Sequence, residues 1–241
     1  MLTLSACSPK SQLATTTKLS QAEQILAQTI AAHGGKRYDV AHYGFSFRDK
    51  QYSFKNEAGA YRYSRSQQKN GYKILDVMDN EGLKRSIDGE YIQLGKEEQG
   101  KIAESVNSVI YFATLPHKLQ DVAVNKAYKG ETTIKGKKYH VLEVTFQEEG
   151  GGKDHDDQFH YWINQADNTI DYLAYNYQVG KGGVRFREAY NRRTVAGIIF
   201  QDYVNYKADL GTPLADLPAL FEANKLKKLS VIETENVTAL K

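Results

Sequence analysis

Asp154, Asp156 and His160 share one side of the chain if that stretch is extended, because side chains alternate with a period of two. Two carboxylates and an imidazole on one face can hold a divalent metal, and a metal there would support assisted hydrolysis. The surrounding run is Gly150-Gly151-Gly152-Lys153-Asp154-His155-Asp156-Asp157. A solvated acidic hairpin loop is the plainer reading of the same residues. A second group is Arg185 and Arg187, which share one strand face while Val184, Phe186 and Glu188 share the other. Two guanidinium groups so placed can grip a carboxylate or a phosphate bidentately. They can equally pair with Asp154 or Asp156 on a neighbouring strand. A third reactive group is the thiol of Cys7, which closes the string Leu4-Ser5-Ala6-Cys7. An aliphatic residue, two small residues and a cysteine form the pattern of a bacterial lipobox. In that pattern the thiol accepts a thioether-linked diacylglycerol.

Other chemistries find no support. The chain has no Gly-x-Ser-x-Gly elbow, no phosphate loop and no His-Glu-x-x-His. His33, His42, His117 and His140 are scattered and read as helix-end, turn or strand-surface residues. With one cysteine there is neither an internal disulfide nor a thiolate metal site. Thirty-two basic and 29 acidic residues give a net charge of +3, too balanced to argue for nucleic acid. No apolar run approaches the roughly 20 residues that cross a bilayer. The 17 tyrosines and nine phenylalanines stand against a single tryptophan. Tyrosine suits a half-wet wall, because its ring meets hydrocarbon while its hydroxyl meets water or a polar head. Phe45, Phe47, Tyr61, Tyr63, Phe186 and Tyr190 are therefore candidate cavity-lining residues, with Arg185 and Arg187 nearer the rim. Ordinary core packing is the competing account of the six aromatics.

The elements that must position these groups follow from periodicity. Met1 to Ala6 read as the remainder of a signal peptide, and residues 7–19 as a lipidated N-terminus and polar tether. Ser20 with Glu23 forms a capping box, and Ala22, Ile25, Leu26, Thr29, Ile30 and His33 make a helical stripe ended by Gly34-Gly35. From His42 the period becomes two, at Tyr43/Phe45/Phe47, Tyr52/Phe54, Tyr61/Tyr63 and Tyr72/Ile74. That predicts a meander reaching about Leu94. Lys96 to Leu115 returns to helical spacing and stops at Pro116. Strands are then expected over Val124–Ile134, Lys138–Gln147, Gln158–Asn164, Thr169–Val179, Val184–Tyr190 and Gly197–Lys207. A short helix at Leu214–Asn224 and a last strand near Lys228–Glu235 complete the pattern. The expected fold is mainly β (α+β): a single curved antiparallel sheet forming a half-open β-barrel, with both helices covering its concave face. A flat two-sheet sandwich is the alternative.

This order of elements resembles the LolA/LolB lipoprotein-localisation superfamily. The likeness is clearest in Tyr161-Trp162-Ile163-Asn164-Gln165-Ala166-Asp167-Asn168-Thr169-Ile170-Asp171-Tyr172 and in Arg193-Thr194-Val195-Ala196-Gly197-Ile198-Ile199-Phe200. More closely, Val106–Phe112, Gly150–Asp154 and Gly182–Arg187 resemble a bacterial lipoprotein family of unknown function. The resemblance implies one half-barrel domain over residues 20–241 that wraps an apolar cavity. With the lipobox it implies a monomeric, membrane-anchored protein of the cell envelope, at the periplasmic face of the outer membrane or the cell surface. Its ligand would be a lipid, an acyl chain or another apolar small molecule, with no cofactor, no nucleic acid and no catalysis. A metal-assisted hydrolase built on Asp154, Asp156 and His160 is one alternative. A structural or interaction lipoprotein is the other.

Overall fold

The computed structural model describes residues 19–57, 59–147, 157–178 and 180–241. Cys7, the tether, Asp154 and Asp156 lie outside these residues. Helix α1 (Gln21–His33) starts at the expected capping box: the Glu23 N–H donates to Ser20 Oγ at 3.3 Å, and the Ser20 N–H donates to Glu23 Oε2 at 2.7 Å. Two otherwise unpaired backbone or hydroxyl groups are thereby satisfied at the helix entry. Gly34 ends the helix at φ 140°. A Cβ there would stand 3.0 Å from Ile198 and 3.1 Å from the Gly197 carbonyl oxygen, so only glycine allows this approach. Ala22, Ile25, Leu26, Thr29 and His33 form the buried face, as the stripe predicts.

Six strands follow: β1 (His42–Phe47), β2 (Lys50–Glu57), β3 (Ala60–Lys69), β4 (Tyr72–Asp79), β5 (Gly82–Ile87) and β6 (Glu90–Ile92). Helix α2 (Lys96–Ala113) then buries Ile102, Val106 and Ile110. After it come β7 (Val124–Ile134), β8 (Lys137–Phe146), β9 (Gln158–Asn164), β10 (Ile170–Tyr177), β11 (Gly183–Val195) and β12 (Ile198–Ala208). A short helix α3 (Leu217–Glu222) precedes β13 (Lys227–Ile232) and β14 (Glu235–Ala239). Among the described residues no helix is long and apolar enough to cross a membrane.

The expected single sheet is two antiparallel sheets of seven strands. Their orders are β14-β1-β2-β3-β4-β5-β6 and β13-β12-β11-β10-β9-β8-β7. Two physical causes separate them. The exposed, three-residue β6 runs into α2 rather than into a partner for β7, so pairing stops there. At the other end the last strand changes sheets: β13 pairs with β12, and β14 pairs with β1. The switch point is buried Thr234. Its N–H donates to Asp202 Oδ1 at 2.9 Å, and its carbonyl and hydroxyl both accept from Arg193. Asn191 and Arg193 also donate to Asp202 Oδ2, at 2.6 and 3.2 Å. A bulge between Tyr190 and Arg193 of β11 brings these groups to the corner.

Three apolar clusters hold the layers. Ile102, Val106 and Ile110 of α2 pack on Tyr43, Phe45, Phe54 and Tyr63 of the first sheet. Ala22, Ile25 and Leu26 of α1 pack on Leu142, Val144, Tyr161 and Leu173 of the second. Leu217 and Phe221 of α3 cover the opposite face of that sheet, over Trp162, Tyr172 and Phe186. Helix α2 bridges to the second sheet through Tyr111 and Phe112, and the Tyr111 and Tyr161 hydroxyls are 2.9 Å apart.

Candidate ligand groove

Helix α2 turns one side to a groove where the two sheets meet. Val109, Phe112 and Ala113 supply its apolar wall from the helix, and Phe47 closes the end of β1. Tyr175 of β10, Arg187 of β11 and Gln201, Tyr203 and Asn205 of β12 form the floor. Ser230 and Ile232 of β13, with the corner residue Thr234, complete the far side. The cavity holds about 350 Å³, at the small end of ligand-binding clefts. The corner residue Thr234, held by Asp202 of β12, lies at the end of the β12–β13 pair that borders the groove.

The electrostatics centre on Arg187. Alternation on β11 puts its side chain on the α2 side of the sheet, opposite Val184 and Phe186. It is 7% exposed. Its guanidinium lies 3.9 Å from the Phe112 ring centroid and 5.2 Å from that of Tyr175, and Nη2 donates to the Tyr175 hydroxyl at 2.9 Å. Nε has no hydrogen-bond partner among the described residues, and neither does buried Asn205 Oδ1. Burial pushes the Tyr203 hydroxyl above its usual range, so it stays protonated, and it accepts from Gln201 at 2.8 Å.

The candidates named from sequence divide. Phe47 and Arg187 line the groove. Arg185 lies further along the same strand face, half-buried, and donates to the Tyr177 hydroxyl at 2.5 Å. Among the described residues neither arginine is paired with a carboxylate; each donates to a tyrosine hydroxyl, and Arg185 also to the Val184 carbonyl at 3.1 Å. Phe45 and Tyr63 are buried in the core under α2, and Tyr61 packs beside them under the Lys118 ammonium. Phe186 is buried beneath α3 on the other face of the second sheet. A cavity-lining role for Phe45, Tyr63 and Phe186 is therefore corrected to core packing. Tyr190 borders a separate cavity on that other face, and its hydroxyl donates to Glu233 at 2.7 Å.

His160 also faces away from the groove. Its Nε2 stands 3.3 Å from Glu143 Oε2, its Nδ1 is buried without a partner among the described residues, and burial pushes its pKa down. Among the described residues no group of three or more His, Cys, Asp or Glu side chains is placed to hold a metal. Phe112, Tyr175, Tyr203, Asn205 and Ile232 were not legible as site residues. Phe112 alone carried a signal, since it follows Val109 at helical spacing in a helix already assigned.

The fold of two antiparallel sheets with helices packed on them is similar to that of a solved LolA superfamily protein. The LolA superfamily protein NE2245 from Nitrosomonas europaea superposes with a TM-score of 0.52 at 12% identity, covering 92% of this chain and 95% of that one. A putative outer membrane lipoprotein-sorting protein domain from Vibrio parahaemolyticus gives 0.44 at 9% identity, over 83% and 97%. Within that fold class, the profile of the family of unknown function DUF6503 matches residues 11–234. The chain belongs to that family. No curated protein matches it in sequence.

Proposed function

We propose that this protein is a monomeric, non-enzymatic lipoprotein of the cell envelope that holds a lipid or acyl chain in the groove beside α2. The observation that carries the reading is the wall itself: Val109, Phe112, Ala113 and Ile232 face an open cavity on a LolA-like fold. Each buried methylene of a ligand chain would contribute roughly 0.8 kcal/mol. In this reading the two sheets act as halves of one unclosed barrel over residues 20–241, with α1 and α2 inside and the corner at Thr234 as the seam. The membrane anchor is Cys7, and stable anchoring needs more than one acyl chain, which lipobox processing supplies.

Displacement of a fluorescent fatty acid tests the groove. Saturable binding to the wild type should weaken tenfold or more in Val109→Trp, whose indole fills the cavity, with the melting temperature little changed. Binding that the tryptophan leaves intact would move the ligand elsewhere, and no binding of fatty acids, alcohols or phospholipids would end the reading. The anchor is tested separately. Cys7→Ser, expressed behind a complete signal peptide, should shift the protein from the membrane to the soluble fraction; retention in the membrane would remove Cys7 from the account.

A further inference from the structure

Arg187 is a permanent cation in a place that water barely reaches. It cannot escape by losing its proton, and burying an ion without a counter-charge costs several kcal/mol even after relaxation. What surrounds it compensates only in part. The faces of Phe112 and Tyr175 attract the guanidinium, and the Tyr175 hydroxyl accepts one hydrogen bond. None of these groups is an anion. The groove lining contains two charged side chains, Arg187 and Arg48, and no Asp or Glu among the described residues. Two other cavities differ: Glu143 borders one, and Asp167, Asp171 and Glu188 border another. One N–H of Arg187 and one amide oxygen of Asn205, both residues of the groove lining, are without a partner among the described residues. Asn205 Nδ2 lies 3.3 Å from Ser230 Oγ. A half-turn of that amide keeps serine as its partner, the hydroxyl now donating, and frees the N–H₂ for the groove.

We propose that Arg187 makes the groove selective for amphiphiles with one anionic head, a carboxylate or a phosphate, seated head-inward against its guanidinium. The inference rests on the lipid-binding reading and adds the head-group chemistry to it. A head oxygen takes the free Nε–H, a second meets the Asn205 amide, and the tail lies along Phe112, Val109 and Ile232. Charge-assisted bonds of this kind are roughly twice as strong as neutral ones, so a neutral head loses much of the affinity and leaves the cation unpaired.

The test compares decanoate, decyl phosphate, decanol and inorganic phosphate by calorimetry at pH 7.5, each amphiphile below its micellar concentration. Wild-type protein should bind decanoate or decyl phosphate at least tenfold more tightly than decanol, and whichever anion is tighter identifies the head. In Arg187→Met that preference should vanish while decanol binding persists, and Arg187→Lys should retain part of it. The wild-type comparison stands even if Arg187→Met does not fold. Equal affinity for decanol and decanoate would overturn the anion-selective site yet leave an apolar groove intact. Inorganic phosphate binding as tightly as decyl phosphate would overturn the amphiphile. Failure of all three ten-carbon probes to bind would remove the lipid reading and this inference with it.

Discussion

Asp76→Ala should cost the fold about 3–5 kcal/mol, the range for leaving buried charges without their partner. Asp76 is 1% exposed and serves two arginines at once. Arg65 donates to its Oδ2 from Nε at 3.1 Å and from Nη2 at 2.7 Å, and Arg85 donates to Oδ1 at 2.7 Å and to Oδ2 at 3.1 Å. The three residues are direct cross-strand partners on β3, β4 and β5. Arg65 also reaches Ser105 of α2 at 2.8 Å, so the cluster helps to seat the helix that walls the groove. Removing the carboxylate leaves Arg65 without its counter-charge and Arg85 with only the 3.8 Å pair to exposed Glu98, and neither guanidinium can neutralise itself. Urea unfolding should show the midpoint falling with the slope unchanged. A combined Arg65→Met, Asp76→Leu, Arg85→Met chain should recover most of the loss, because apolar groups of similar volume need no counter-charge. A drop below about 1 kcal/mol for Asp76→Ala, the value of a solvated surface pair, would contradict the buried network.

The second large effect is acid sensitivity at the end of α1. His33 is fully buried, its Nε2 accepts the Ile170 N–H at 3.2 Å, and its Nδ1 has no partner among the described residues. Burial pushes its pKa down to about 4, and the Arg192 charge adds to this against the opposing pull of Asp167 and Asp171. An unfolded chain titrates this ring near 6.5. Between those two values the unfolded state binds more protons than the native one, so stability rises with pH across the window and is lost as pH falls through it. The depression corresponds to roughly 3 kcal/mol, nearly all of it gone at pH 4. Protonation at Nε2 would also remove the acceptor for Ile170. Unfolding free energies of wild type and His33→Gln, measured from pH 7.5 to 4, should converge as pH falls, since glutamine carries no proton across that range. Parallel curves would show that another group carries the acid sensitivity.

Local chemistry was legible where a single segment decides it. The Ser20/Glu23 box, the buried stripe of α1, the run from Lys96 into α2 and the seven residues of β9 follow from spacing alone. So does the partition of β11, with Arg185 and Arg187 on one face and Val184 and Phe186 on the other. Backbone hydrogen bonding and a period of 3.6 or 2 act over one or two turns or strands, and those leave a pattern in consecutive residues. That pattern says which residues share a face; it does not say what the face meets. Phe45, Tyr63 and Phe186 alternate as cavity-lining residues would, and packing against α2 and α3 makes them core.

The groove depended on contacts with no local trace. Arg65, Asp76 and Arg85 stand about ten residues apart and meet only through strand register. Thr234 reaches Asp202 across 32 positions, and that contact turns one expected strand into two and splits one expected sheet. Val109 and Phe112 belong to α2, while Tyr175, Arg187, Asn205 and Ile232 come from four strands of the second sheet. The sequence alone determined the elements, their order and the sides of each strand, because these are short-range properties of the backbone. Tertiary structure alone decided that Arg187 would be a buried cation without a counter-charge among the described residues, because burial and pairing belong to residues that the chain brings together from far apart.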